Sequence, residues 1–161
     1  SLAYLKDKEL ESACVSFELR FAQIRDLKKV LRAEAIVYGR LPLMITENCL
    51  VQNETGCRLD RQGPCVPEDG PCRCGQPNVL VDRTGAAFPL LPAYGHRTEI
   101  QNSKPLYLAD RPEHRRLGLA YARLRFTTET AEECVSVVQN YLDAAPAAGD
   151  FTRGLYERGV E

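Results

Sequence analysis

The sequence predicts an α/β fold in which part of a parallel barrel is interrupted by a cysteine-rich loop and a β-hairpin. Three observations carry this. A strand, helix, strand order fills the first forty residues. A late strand leads into a well-capped helix. Between them, five of the seven cysteines fall between Tyr38 and Asp82, in a stretch rich in Gly and Pro. At 161 residues the chain holds one domain or a fragment of one. Three parts are expected: 1–47 as strand-helix-strand units, 48–110 as the insertion, and 111–161 as final strand, helix and tail.

In order, Leu10 to Phe17 contains a mostly apolar run around Cys14 that suits a buried strand. Ser16 is placed to cap the helix that follows, where Ile24, Leu27 and Leu31 recur at helical spacing. Glu34 to Tyr38 is a second buried strand, stopped by Gly39, and the order implies a parallel pair joined by a crossover. Leu41 to Ile45 is a short apolar run broken by Pro42. From Asn48 to Pro77 neither strand nor helix period appears, and a structureless loop of about 30 residues inside a compact domain needs some other constraint. Val79–Asp82 and Ala87–Leu91 flank Arg83-Thr84-Gly85 as a hairpin.

After a turn at Tyr94-Gly95-His96, Glu99 to Asn102 is expected to be extended. Pro105 to Ala109 fits strand or irregular chain equally, and Arg111 to Arg116 fits a short surface helix. Leu119 to Phe126 alternates as a strand. Thr130 with Glu133 makes a capping box, and Cys134, Val137, Val138, Tyr141 and Leu142 form one apolar stripe on the helix it opens. The tail around Phe151 to Tyr156 carries aromatics without a period.

A net charge of −1 offers no global attraction to nucleic acid or membrane, and no apolar run is long enough to span a bilayer. Neither a membrane partner nor a signal peptide is therefore expected, and the bunched, odd-numbered thiols point to a reducing, cytoplasmic setting. The chain begins at Ser1, which suggests a piece of a longer protein.

The cysteines at 49, 57, 65, 72 and 74 are separated by seven, seven, six and one residues. Paired knuckles of a zinc ribbon are absent, as is the compact run of bacterial ferredoxins. Thiolates need only converge in space, so iron–sulfur, zinc and no metal all remain open. Cys14 and Cys134 are expected in the core, His96 as a turn histidine or a ligand, and His114 at the surface. The arginines 111, 115, 116, 123 and 125 form a modest basic region that would matter for an RNA substrate. No protease or phosphate-binding motif is present.

Several segments in fixed order resemble the collagenase-like peptidase family U-32. They are Tyr38-Gly39-Arg40-Leu41-Pro42-Leu43-Met44, Glu47-Asn48-Cys49, Leu80-Val81-Asp82-Arg83-Thr84-Gly85, Phe88-Pro89, Arg97 to Ser103, Pro105 to Leu108 and Thr152 to Tyr156. The resemblance implies the C-terminal portion of a TIM-like barrel, with the N-terminal barrel half of the parent chain missing and the fragment inactive by itself. It implies a [4Fe-4S] cluster on Cys49, Cys57 and Cys74, with Cys72 as alternate to Cys74. His96 stands where the family has a fourth cysteine, so His96, Cys65 or Cys72 would complete the set or the cluster would be lost. Arg40, Glu47 and Asp82 are candidate substrate contacts. The implied activities are hydroxylation of RNA or of a small molecule with prephenate as oxygen donor, or peptide cleavage. A zinc-stapled binding module is the non-enzymatic alternative.

Overall fold

The computed structural model describes residues 2–55 and 73–158. In chain order the elements are α1 (Leu2–Asp7), β1 (Ser12–Cys14), α2 (Phe21–Asp26), β2 (Arg32–Gly39), β3 (Pro42–Thr46), α3 (Leu50–Thr55), β4 (Asn78–Val81), β5 (Ala87–Ala93), β6 (Arg97–Gln101), β7 (Leu106–Tyr107), β8 (Tyr121–Leu124) and α4 (Ala131–Asp143). Short 3-10 helices span Arg73–Gly75 and Pro112–Arg116. The fold is mixed α/β, in two compact units: one holds residues up to Arg40 and from Lys104 onward, the other Leu41–Ser103.

The first unit is built on β2. Glu34 has register partners on both sides, Cys14 of β1 and Tyr121 of β8, both parallel. Tyr38 likewise lies between Leu124 of β8 and Tyr107 of the antiparallel β7. β1 and β7 therefore share one edge of β2, and β8 takes the other. The β2–β8 register steps from Ile36↔Arg123 to Tyr38↔Leu124. This bulge breaks the alternation of the strand, so the consecutive residues Val37 and Tyr38 are both buried. Gly39 follows with φ 117°, and a Cβ there would collide with the Arg125 carbonyl, so the strand end accepts only glycine.

Three local expectations are corrected. Helix α2 starts at Phe21, where the Gln23 side chain accepts from the Arg20 amide, while Ser16 accepts from the Glu18 amide in a turn. It ends at Asp26, because Leu27 is extended and the Lys29 ammonium gathers the Ile24, Arg25 and Leu27 carbonyls. Leu27 and Leu31 thus lie beyond the helix. The stretch from Asn48 was expected to lack structure, yet α3 and the Arg73–Gly75 turn fall within it.

Two expected environments are reversed. Cys14 is exposed, since its face of the sheet also carries Glu34 and Tyr121 and is left open. His114 is buried beneath its short helix, its Nδ1 2.5 Å from the Arg111 carbonyl and its ring edge-on to Tyr141. Burial holds its pKa below the ordinary histidine value.

The capping box of α4 forms as expected, with Thr130 Oγ1 accepting from the Glu133 amide and the Glu133 carboxylate accepting from Thr130. Of the apolar stripe, Val137 is buried and Tyr141 packs beside it, whereas Val138 and Leu142 are exposed. The tail without a period is part of the core. Tyr156 is buried, stacks on Phe21 and donates to the Ile36 carbonyl at 2.6 Å. Thr152 bridges Leu106, and Arg153 binds Asp110 through two bonds of 2.5 and 2.7 Å.

The second unit is an antiparallel sheet in the order β3-β6-β5-β4. The expected hairpin is β4–β5, with Val79 opposite Pro89 and Leu80 opposite Phe88. Asp82 closes its turn by accepting from the Thr84 and Ala86 amides.

The Asp110–Arg153 pair ties tail to sheet, and the guanidinium holds the Asp110 carboxyl below the usual carboxylate range. A depressed native pKa contributes stability above the unfolded value of about 3.9, lost as pH falls through the native value. Asp110→Asn should therefore cost about 1–3 kcal/mol at pH 7. In denaturant titrations the gap to the wild type should close in acid; a gap constant across pH would contradict this.

Candidate cysteine site

The second unit brings two of the candidate ligands into one place. Cys49 is buried with Val51 and Leu90, and Cys74 packs against that cluster with Leu50 and Ile100. Leu90 and Ile100 are register partners on β5 and β6, so the sheet supplies the floor. Cys49 comes from the turn before α3, and Cys74 from the 3-10 turn before β4.

A threonine absent from the sequence-based candidates fixes this arrangement. Thr98, the second residue of β6, is buried, and its Oγ1 accepts from the Leu50 amide at 3.0 Å. Thr46 Oγ1 in turn donates to the Asn48 carbonyl at 2.6 Å. These bonds replace partners that the chain lacks where it leaves β3 and enters a six-residue helix. A threonine in a strand has an ordinary strand composition, so nothing in the sequence marked it.

The other candidates are distributed differently. His96 is half-buried in the turn beyond the Ala93–Arg97 pair that closes β5 and β6, with φ 60°. Glu47 is exposed and paired to Arg97 at 2.9 Å. The Asp82 carboxylate is engaged in its own turn, whose hydrogen bonds, Thr84 first, hold its pKa low. Arg40 belongs to the first unit, where its carbonyl accepts from the Arg125 side chain. Cys57, Cys65 and Cys72 lie outside the described residues. Among the described residues no group of three or more His, Cys, Asp or Glu side chains converges on a point suited to a metal.

Two soft sulfur donors in an apolar setting fit an iron–sulfur cluster or a thiolate-bound zinc ion. Among the described residues no helix is long and apolar enough to cross a membrane. No family model, curated protein or solved structure matches the chain.

Thr98→Val keeps the shape of the side chain but leaves the Leu50 amide without its partner. It should cost about 1–3 kcal/mol and speed alkylation of Cys49 in the native protein, with Cys14 unaffected. Mass-spectrometric mapping of labelled peptides reads both rates; unchanged Cys49 labelling would contradict the anchoring role.

Proposed function

We propose that this chain is the C-terminal part of a larger barrel enzyme resembling family U-32, and that its cysteines hold a [4Fe-4S] cluster. The observation that carries the reading is the shared apolar cluster of Cys49 and Cys74. Cys57, Cys65 and Cys72 fall between these two along the chain. Cys49, Cys57 and Cys74 would be the first ligands, with His96, Cys65 or Cys72 completing the set. Thiolates are the ordinary ligands of such clusters, and apolar surroundings and limited solvent access tune their potential. The parallel β1–β2–β8 arrangement, with a helix between β1 and β2, is compatible with a barrel segment.

A cluster of this kind supplies redox chemistry, and the reaction class proposed is hydroxylation of RNA or of a small molecule, with a prephenate-like oxygen donor. The peptidase activity in the family's name is the alternative class, and no contact described above favours it. A zinc-stapled binding module uses the same sulfurs and is separated by metal analysis.

The full-length parent protein, purified without oxygen, should be brown, absorb near about 400 nm and contain iron with acid-labile sulfide. Colourless protein with neither would overturn the reading. Stoichiometric zinc without iron, with stability lost on chelation, would assign the zinc-stapled form instead.

A further inference from the structure

A second candidate site lies wholly in the first unit and does not depend on the cysteines. A cavity of about 470 Å³ opens where β2 and β8 end, between Tyr38, Arg40 and Tyr107 on one side and Glu129, Ser136 and Val137 on the other. Its position is that of ligand sites in α/β proteins, which form outside the carboxyl ends of parallel strands. The β2 bulge lies at its base and turns the Tyr38 ring inward, a common device beside binding sites. The volume suits a small organic molecule.

Tyr38, Tyr107 and Phe151 supply an aromatic part of the wall, and polar side chains supply much of the rest. Tyr38 stands edge-on to Tyr107 at 6.5 Å between centroids, and the Tyr107 hydroxyl is committed to the Ala145 carbonyl. Tyr38 donates its hydroxyl to Glu129 Oε1 at 3.2 Å. Burial, and then the Glu129 carboxylate, push the Tyr38 pKa up, so the hydroxyl stays a donor. Glu129 Oε2 is held by the Thr127 and Thr128 amides at 2.7 and 3.0 Å. The carboxylate is thus fixed in place by its neighbours, with acceptor capacity left on Oε1.

The charge balance selects the ligand. Among the described residues, three carboxylates line the cavity, from Glu129, Glu133 and Asp150, against the single guanidinium of Arg40. Lys104 offsets Asp150 at 3.4 Å, and a negative excess remains. An anion would be repelled, whereas a cation gains the carboxylate. The ring of Phe151, also at the cavity, already carries the Arg153 guanidinium at 4.4 Å.

We propose that this cavity binds a small primary amine with a flat apolar body, its ammonium at Glu129 and its body against Tyr38 and Tyr107. Phenethylammonium is a suitable probe, and phenylacetate is its anionic counterpart of similar size. In amide-resolved NMR titrations of the chain, phenethylammonium at up to about 10 mM should shift Thr128, Glu129 and Ser136 saturably, and phenylacetate should not. Glu129→Gln should weaken binding about tenfold by removing the charge. Ser136→Phe, on the exposed side of α4, fills the cavity without touching the Glu129 bonds and should abolish the shifts while circular dichroism stays unchanged. Should Glu129→Gln fail to fold, Ser136→Phe decides. Absence of saturable shifts, equal or tighter binding of phenylacetate, or unchanged affinity in a folded Ser136→Phe protein would each overturn the proposal.

Discussion

Three successive carbonyls of β2 hold the first unit together. Ile36 accepts from the Tyr156 hydroxyl, Val37 from the Tyr141 hydroxyl at 2.5 Å, and Tyr38 from the Arg125 amide at 2.9 Å. The tail, helix α4 and the segment after β8 are thereby keyed to consecutive residues of one strand. A buried carbonyl left without a donor costs about 1–3 kcal/mol, so none of the three elements can shift register cheaply. Tyr141 also accepts from the Leu108 amide, which ties β7's continuation to the same helix. The bulge that exposes these carbonyls to different partners also turns Tyr38 toward α4 and shapes the neighbouring cavity.

The second unit obeys a different constraint. Its sheet is antiparallel, and on it Leu43, Met44 and Ile45 of β3 and Val79, Leu80 and Val81 of β4 are exposed. Its buried residues concentrate around Leu90 and Cys49. Thr98 satisfies the backbone at the start of α3 and thereby sets where Cys49 lies. Packing and hydrogen bonding thus cooperate to bring Cys49 and Cys74, far apart in the chain, to one apolar cluster, and the metal reading starts from there.

What was legible in the sequence was local. The Thr130–Glu133 capping box, the β4–β5 hairpin and the parallel β1–β2 pair each depend on residues a few positions apart or on short periodic runs. What was not legible depended on distant partners. Tyr156 has no periodic neighbours, and its partners Phe21 and Ile36, more than a hundred residues earlier, explain its burial. Helix α2 kept its apolar spacing past Asp26, but Lys29 folding back on its last carbonyls ends it. Cys14 looked apolar by its neighbours, yet its face also carries the charged pair Glu34–Arg123 and stays open. At the candidate site, the clustering of cysteines was visible in the sequence, whereas Thr98 carried no signal. Of the candidate substrate contacts, Glu47 pairs with Arg97, Asp82 is engaged in its own turn, and Arg40 belongs to the first unit.

The central claim is that the cysteines of this segment, Cys49 and Cys74 among them, hold a metal. X-ray absorption at the iron and zinc edges, on the parent protein purified without oxygen, tests it most directly. The account predicts an iron signal with sulfur neighbours, and loss of that signal or of its sulfur neighbours in the Cys49→Ala and Cys74→Ala proteins. Metal bound only through nitrogen and oxygen, or sulfur-ligated iron unchanged by both substitutions, would contradict it.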